Sequence, residues 1–207
     1  MRFVFASNNA HKLSEVREIM PAEIEILSLH DVGFEADIEE TGATLEENSA
    51  IKAEAVFQWL NRQSSNRPSI DGVFADDTGL EIEALGGRPG VHTARWYLED
   101  GGEELSGQAN FAANRAKALR ELAGKENRNA QFRTVITLIK RNGERLVMSG
   151  IVRGRIATEE YGQGGFGYDP IFIPEGYEKT FGELPAELKN GISHRARALE
   201  ALVKALK

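Results

Sequence analysis

The sequence predicts an α/β protein built on a mixed β-sheet, and three features of the chain lead to this class. Arg2–Ala6 is short and apolar like a buried strand, and a helical pattern separates it from a second such run, Ile24–Leu29. This order is typical of a parallel βαβ unit. Two long β-rich runs, Phe132–Lys140 and Arg145–Ile156, meet at Asn142-Gly143, which predicts an antiparallel hairpin with a type I′ turn. Parallel and antiparallel neighbours together require a mixed sheet flanked by helices.

Length and composition set the class of protein. The chain of 207 residues predicts a single domain, residues 1–207, or two closely packed lobes. A net charge of −7 argues against a partner such as duplex nucleic acid, although a few placed cations can still hold a small anion. The absence of cysteine excludes disulfides, thiolate metal sites and cysteine nucleophiles. No signal peptide or membrane span is evident, so we expect a cytoplasmic protein.

The loop Ser7–Lys12 lies between the first strand and the first helix. Asn9 is a good N-cap, and the free N–H groups of a helix start favour an anion. His11 and Lys12 place positive charge where it opposes the helix dipole, which suggests a negative ligand nearby. An ordinary surface lysine beside a cap would give the same pattern. The loop lacks the Gly-Lys-Ser/Thr ending of a P-loop, so it is not a Walker motif.

An acidic, glycine-containing loop, Glu35–Gly42, precedes the second long helix. Thr44 and Glu47 have the spacing of a capping box, which predicts a helix to about Leu60. The Asn-, Ser-, Arg- and Pro-rich residues 61–71 then predict a flexible connection on the surface.

Asp76 and Asp77 follow the short apolar strand Gly72–Ala75, and we expect them at its carboxyl end, where α/β proteins place their sites. A separate, half-exposed strand is predicted at Leu80–Ala84. Because neighbouring strand residues face opposite ways, one aspartate is expected to serve the site and the other to be structural. A turn or a helix cap would explain the pair equally well. Carboxylates without Cys or His partners suit Mg²⁺ or Mn²⁺, with phosphate oxygens completing the coordination shell. The other acids considered for this site are Glu39, Glu40 and Glu47.

Near the C-terminus, Ser193 is predicted to cap the last helix, which places His194 and Arg195 in its first turn with Lys189 just upstream. Positive charge again opposes the dipole, so we expect His194 and Arg195 to serve a ligand and to destabilise the ligand-free fold. Salt bridges to nearby acids are the alternative.

The segment Gly164–Asp169 mixes glycines with aromatic residues. Phe166 and Tyr168 are predicted to offer a stacking surface for a base, and Asp169 to read a base edge. The alternative is a structural loop whose aromatic side chains fill the core. An amphipathic helix is predicted upstream, over about Ser106–Ala123.

Together these segments resemble the inosine triphosphate pyrophosphatase family, also called the Ham1-like or dITP/XTP pyrophosphatases. The resemblance runs from the first strand to the last helix, and the combination is far more specific than any one motif. The matching segments, in the family's order, are Ser7–Lys12, Glu39–Gly42, Glu47-Asn48, Lys52-Ala53, Asp76–Gly79, Gly86–Gly90, Gly165–Pro170 and Ser193–Arg195.

The resemblance implies an elongated mixed α/β fold with two lobes around a deep cleft, and a homodimer. It implies a Mg²⁺-dependent hydrolase that cleaves ITP, dITP and XTP between the α- and β-phosphates and so cleanses the nucleotide pool. Carried over by position, Asp77 is the general base, with Glu47 and Lys52 in the catalytic shell. Asp77 and Glu39 are the metal ligands, with Glu40 replacing Glu39 if the register slips by one. The residues that the resemblance assigns to the nucleotide are Ser7, Asn8, Asn9, Ala10, His11, Lys12, Thr78, Phe166, Gly167, Tyr168, Asp169, Lys189, His194 and Arg195.

The chain departs from the family pattern at three positions. Asn8 and His11 stand where many relatives have glycine or a small residue, which affects how closely the loop approaches phosphate. Thr78 replaces serine but keeps the hydroxyl. Two other functions remain open: hydrolysis of modified pyrimidine triphosphates, and nucleotide sensing without turnover. The set of Glu39, Glu47 and Asp77 favours an enzyme, because a sensor needs no base.

Overall fold

The computed structural model describes residues 1–63 and 69–207. The described helices are α1 Ala10–Ile19, α2 Leu29–Val32, α3 Leu45–Arg62, α4 Gly107–Glu121, α5 Ala186–Ile192 and α6 His194–Ala205. The described strands are β1 Arg2–Phe5, β2 Glu25–Leu27, β3 Gly72–Ile82, β4 Pro89–Gly90, β5 Asn129–Lys140, β6 Arg145–Ile156 and β7 Phe172–Pro174. The connection predicted over residues 61–71 lies partly outside the described residues.

The strands form one mixed sheet in the order β2-β1-β3-β5-β6-β7, with β4 paired to β3. Strand β1 is parallel to both β2 and β3, whereas β4 is antiparallel to β3 and β7 is antiparallel to β6. The predicted βαβ opening and the α/β class with a mixed sheet and flanking helices are therefore confirmed.

Local sequence signals fix the starts of two helices. The Asn9 side chain caps α1 by accepting hydrogen bonds from the N–H groups of His11 and Lys12. Thr44 and Glu47 form the predicted capping box at the start of α3. Each cap satisfies N–H groups that the helix itself cannot pair, so a few residues suffice to specify where the helix begins.

Asp76 and Asp77 are not at a strand end, which corrects the prediction. They lie in the middle of β3, an 11-residue strand that continues without a break to Ile82. The strand predicted at 80–84 is not separate, because Leu80 and Ile82 belong to β3 and a 3-10 turn begins at Glu83. The predicted alternation is confirmed, since Leu80 and Ile82 are buried while Glu81 is half-buried and Glu83 exposed. Asp, Thr and Gly are turn formers in isolation, but the buried neighbours on both sides keep this segment extended.

The hairpin between β5 and β6 forms as predicted, but its turn is of another type. A type I′ turn needs positive φ at both central residues. Gly143 has φ 85°, whereas Asn142 is not among the residues with positive φ. The Gly143 N–H donates to Lys140 O at 2.8 Å, and Lys140 N–H donates to Glu144 O at 2.8 Å. This is a type I turn followed by a glycine bulge, the usual three-residue hairpin loop.

The chain divides into two compact units. The first comprises Met1–Asp77, Thr134–Gly150 and Arg195–Lys207. One face of its part of the sheet packs Phe5 and Phe74 against α1 and α6, and the other packs Val4 and Val73 against α2 and α3. Three layers therefore bury both faces of these strands.

The second unit comprises Thr78–Arg133 and Ile151–His194. Its core gathers Leu80, Phe132 and Phe172 around the fully buried Trp96. Helix α4 contributes Ala118, and Leu122 follows directly after it in the same core. None of the helices in the described ranges has the length and apolar character that a bilayer crossing requires.

Replacing Thr44 with Ala should lower the free energy of unfolding by about 1 kcal/mol, because Glu47 N–H loses the hydroxyl that caps it. Thr44→Ser keeps the hydroxyl and should remain within about 0.5 kcal/mol of the parent protein. Urea unfolding followed by circular dichroism measures both variants. Equal stability of the Ala variant and the parent would show that this box contributes nothing to α3.

Candidate active site

The loop Ser7–Lys12 is held in shape by its own side chains. Asn9 Oδ1 accepts from His11 N–H at 3.0 Å and from Lys12 N–H at 3.1 Å, and Asn9 N–H donates to Ser7 Oγ at 3.2 Å. Two of the helix-start N–H groups predicted to bind an anion are thus already bonded to Asn9. Asn8 and Ala10 are exposed in the same loop. The cationic groups of the loop are Lys12 and the exposed His11.

Asp76 is the centre of a buried ion cluster in the first unit. Its side chain is 1% exposed, with Lys12 Nζ 3.0 Å from Oδ1 and Arg195 Nε 3.2 Å from Oδ2. Arg195 also pairs with Glu15 on α1. Burial alone would raise the pKa of Asp76, but the charges of Lys12 and Arg195 outweigh it and hold this pKa well below its usual range.

Arg195 is therefore built into the fold. Two carboxylates, Asp76 and Glu15, offset the positive charge that α6 carries at its start. Burial lowers the pKa of Arg195, but these two acids outweigh it and raise the pKa overall. The expectation that Arg195 destabilises the ligand-free fold is thus replaced by its alternative, a salt bridge to nearby acids.

Asp77 belongs to a second group of charges in the same unit. Lys52 Nζ donates to Glu40 Oε2 at 3.0 Å and lies 3.7 Å from Asp77 Oδ1. Asp77 is 8% exposed, and burial raises its pKa although Lys52 and Lys12 oppose that shift. A buried carboxylate with a raised pKa beside a lysine is suited to general-base chemistry.

The acidic loop reaches this cluster through Glu40. Glu39, predicted as the metal ligand, and Glu40 are both exposed, and Glu40 is the acid that is bonded to Lys52. The contact with Lys52 supports the register in which Glu40 replaces Glu39.

Glu47 has a structural role in the ligand-free chain. Its Oε2 accepts from Ala43 N–H at 2.6 Å and from Thr44 N–H at 3.2 Å. These bonds occupy the carboxylate at the helix start, so its placement in the catalytic shell is not supported by any contact with Asp77 or Lys52 among the bonds described.

In the second unit, Asp169 organises the glycine-rich loop. This side chain is 3% exposed, and its Oδ2 accepts from Phe166 N–H at 2.5 Å and from Lys189 Nζ at 2.6 Å. Gly167 O accepts from Arg115 Nη1 at 2.9 Å. Lys189 and Asp169 therefore form a buried ion pair that fixes the loop carrying Phe166.

The two aromatic residues of this loop differ in exposure. Tyr168 is 4% exposed, and its hydroxyl donates to Thr93 O at 2.9 Å. Burial raises its pKa. The ring of Tyr168 packs in the apolar core of this unit, so the face that was predicted to stack on a base is buried. Phe166 is half-buried and meets Phe111 edge-on with ring centroids 4.5 Å apart, so it retains a stacking role as a prediction.

His194 is also positioned by an aromatic ring. It is 7% exposed and stacks on Phe132 with centroids 4.8 Å apart and an interplanar angle of 18°. Phe132 in turn meets Phe172 edge-on at 4.7 Å.

Thr78, half-buried, follows Asp77 on β3.

The second unit also contains a cavity of about 720 Å³. Glu81, Arg153 and Arg155 line it, and none of the predicted site residues does. Glu81 is bonded to Gln131 at 2.6 Å and to Arg133 at 3.1 Å. The candidate site therefore rests on the charged clusters and not on this cavity.

Within the described ranges, no group of three or more His or acidic side chains forms a ready metal site. The acids that Lys52 holds, Glu40 and Asp77, present only oxygen donors. Oxygen donors suit a hard divalent cation, whose remaining positions phosphate oxygens and water can fill.

Three residues that contact the predicted site residues were not predicted from the sequence. Glu15 lies one turn after His11, so their contact on one face of α1 could have been inferred, but its pairing with Arg195 could not. Arg115 and Phe132 reach the site from distant parts of the sequence, and no local pattern indicates them.

The sequence and the fold both match known proteins. The sequence model of the Ham1 family matches residues 3–205. A dITP/XTP pyrophosphatase of Flavobacterium johnsoniae is 44% identical over 206 residues, which cover 100% of this chain and 98% of that protein. A dITP/XTP pyrophosphatase of Bacillus subtilis is 44% identical over 206 residues, which cover 98% of this chain and 96% of that protein.

Solved structures agree with these relatives. The Staphylococcus aureus Ham1 protein has a TM-score of 0.82 and 38% identity, with 100% of both chains covered. A HAM1 protein from Coxiella burnetii has a TM-score of 0.83 and 36% identity, covering 100% of this chain and 98% of that one. With the family model spanning nearly the whole sequence and the fold shared end to end, this chain belongs to the Ham1 family.

Proposed function

We propose that this chain is a nucleoside triphosphate pyrophosphohydrolase that converts ITP, dITP and XTP to the monophosphate and pyrophosphate. The observation that carries the proposal is Asp77, a buried carboxylate of raised pKa beside Lys52 and Glu40. The relatives named dITP/XTP pyrophosphatase support the substrate class. The reaction adds water across the anhydride between the α- and β-phosphates.

Asp77 is the group that receives a proton from the attacking water. Its raised pKa makes it a better base than an exposed aspartate. Lys52 holds the carboxylates of Asp77 and Glu40 on its two sides and orients them. Lys12 supplies positive charge for the phosphate chain, for which its bond to Asp76 must be exchanged.

Asp77 and Glu40 would hold Mg²⁺, with Glu39 adjacent in the same loop. Their oxygen-only donor set fits this ion. When bound, the ion supplies positive charge to phosphate oxygens.

The base is assigned to the second unit. Phe166 is the stacking residue, and its backbone is fixed by Asp169, which Lys189 neutralises. Lys189 and His194 are donors suited to a 6-oxo group, which ITP and XTP have and ATP lacks. The 6-amino group of ATP would offer these donors no acceptor, so a pocket of this kind would discriminate strongly against ATP.

Assembly and location complete the proposal. The family resemblance supports a homodimer and a cytoplasmic site of action, and no nucleic acid or membrane partner is proposed. Size-exclusion chromatography with light scattering measures the oligomeric state directly.

Asp77→Asn should reduce kcat by about 10²–10⁴, since the base is removed while the shape is kept. The same variant should unfold at an equal or higher temperature without ligand at neutral pH. The folded-state pKa of Asp77 is raised, so its ionisation opposes folding above that pKa. Any gain should shrink as pH falls from this pKa toward the unfolded-state value of about 3.9, below which Asp77 is protonated in both states.

Pyrophosphate release and thermal melts over a range of pH measure these effects. Asp37→Asn is the matched control, since Asp37 is an exposed acid of the loop before α3. Near-normal kcat of Asp77→Asn at saturating Mg²⁺ would remove Asp77 from the mechanism. Nucleotide binding without any turnover by the parent protein would instead support a sensor.

Arg195→Ala should destabilise the protein by about 3–5 kcal/mol, because it leaves buried Asp76 with one cation fewer. Because the folded-state pKa of Asp76 is lowered, its ionisation stabilises the fold at pH values above the unfolded-state pKa of about 3.9. That stabilisation is lost as pH falls toward the folded-state pKa. The deficit should therefore be smaller at about pH 3 than at about pH 7.

Chemical unfolding at the two pH values tests this, with Lys204→Ala, an exposed change on the same helix, as the control. A stable Arg195→Ala protein with raised KM would show that Arg195 serves the substrate and not the fold.

ITP, dITP and XTP should be cleaved at least about 100-fold more efficiently than ATP or GTP, judged by kcat/KM. We expect ATP to be rejected because its 6-amino group offers no acceptor to the donors of the base pocket. Rejecting GTP requires that its 2-amino group meet no hydrogen-bond acceptor there. Pyrophosphate release across ITP, XTP, GTP, ATP, UTP and a methylated UTP under one Mg²⁺ condition measures this. Equal cleavage of ATP or UTP would exclude base reading, and preference for the methylated UTP would favour a pyrimidine enzyme.

A further inference from the structure

One hydrogen bond at the end of the acidic loop before α3 is part of neither the capping box nor the charged cluster around Lys52. Gly42 N–H donates to Asn48 Oδ1 at 2.8 Å. Asn48 is 3% exposed and lies in the second turn of α3. Glu40, which reaches Lys52, is only two residues before Gly42 along the chain.

Gly42 also packs directly on the helix. A Cβ atom at this position would lie 2.6 Å from Glu47 Cβ, 2.7 Å from Asn48 Oδ1 and 3.0 Å from Asn48 N. Real Cβ atoms do not approach other atoms so closely, so any larger residue would push the loop off α3. The hydrogen bond and the close contact are two separate observations that fix the same backbone position.

The part of α3 that receives the loop is itself anchored. Ser49 Oγ and Thr137 Oγ1 share a buried hydrogen bond of 2.8 Å, which ties this turn of the helix to β5. Asn48 and Lys52 are four residues apart and both buried, so they lie on one face of α3. The same face of α3 therefore carries Asn48, which binds the end of the acidic loop, and Lys52, which contacts the Glu40 carboxylate of that loop.

We propose that Asn48 is a positioning residue that, by holding the Gly42 N–H, fixes the Glu40 carboxylate beside Lys52 and Asp77. A segment without regular structure has many conformations, and one fixed backbone point two residues away removes most of them. The proposal deepens the proposed function, because it accounts for how one carboxylate of the metal-binding pair is held. Thr44 and Glu47 cap the helix, whereas Asn48 fixes the loop.

The test measures the acylation rate of Lys52 by limiting acetic anhydride and mass spectrometry, with exposed Lys125 as the internal reference. Asn48→Ala should increase the rate about tenfold, since the amine is released from Glu40. Gly42→Ala should have the same effect by displacing the loop. Asn48→Asp keeps an acceptor and should restore the low rate. Thr44→Ala, which weakens only the cap, should leave it unchanged.

A second readout follows the metal. Titration of free Mn²⁺ by electron paramagnetic resonance, without nucleotide, should show about tenfold weaker binding for Asn48→Ala and Gly42→Ala but not for Thr44→Ala. Parent-like Lys52 reactivity in Asn48→Ala, or an equal increase in Thr44→Ala, would overturn the proposal. If Asn48→Ala does not fold, Gly42→Ala decides alone. Lys52 labelling does not depend on turnover, so a parent protein that cleaves no nucleotide would refute the proposed function and leave this result standing.

Discussion

The buried charge of Asp76 is the constraint on which the rest of the first unit depends. A carboxylate in the middle of a strand buried on both faces is unfavourable unless cations meet it. Lys12 from α1 and Arg195 from α6 meet its two oxygens, so one residue of β3 fixes the starts of two helices. Lys12 and Arg195 each place positive charge at a helix start, where it opposes the helix dipole, and the Asp76 carboxylate balances both charges. The unfavourable cations at the helix starts and the unfavourable buried acid therefore offset each other.

The neighbouring Asp77 shows how a strand can give two identical side chains opposite properties. Adjacent strand residues face opposite ways, and here Asp76 has two cations within hydrogen-bonding distance, whereas Lys52 lies 3.7 Å from Asp77. Asp76 therefore has a lowered pKa and Asp77 a raised one. Pairs of acids whose environments separate their pKa values are the usual basis for dividing structural and catalytic roles.

Local rules predicted the parts of the structure that local interactions determine. The Asn9 cap and the Thr44–Glu47 box follow from residues within one turn of each other, and the parallel βαβ opening follows from two consecutive apolar runs separated by one helix. The continuity of β3 could not be predicted in this way, because Lys12 and Arg195, which offset the buried charge of Asp76, are distant in sequence. The position of Tyr168 in the core is a similar case, since its hydroxyl is satisfied by Thr93 O, 75 residues away.

The sequence predicted several members of the charged clusters but not what each of them contacts. Lys12, Lys52, Asp77 and Arg195 lie in one unit, but the sequence did not distinguish residues that build the clusters from those that would act on a ligand. Arg195 forms ion pairs with two carboxylates, Asp76 and Glu15, whereas Lys12 has a single carboxylate partner among the bonds described. In the proposed function, an incoming phosphate would replace Asp76 as the partner of Lys12, while Arg195 would still balance Asp76. Such an exchange would let a protein of net charge −7 hold a polyanion without an uncompensated buried cation in its ligand-free state.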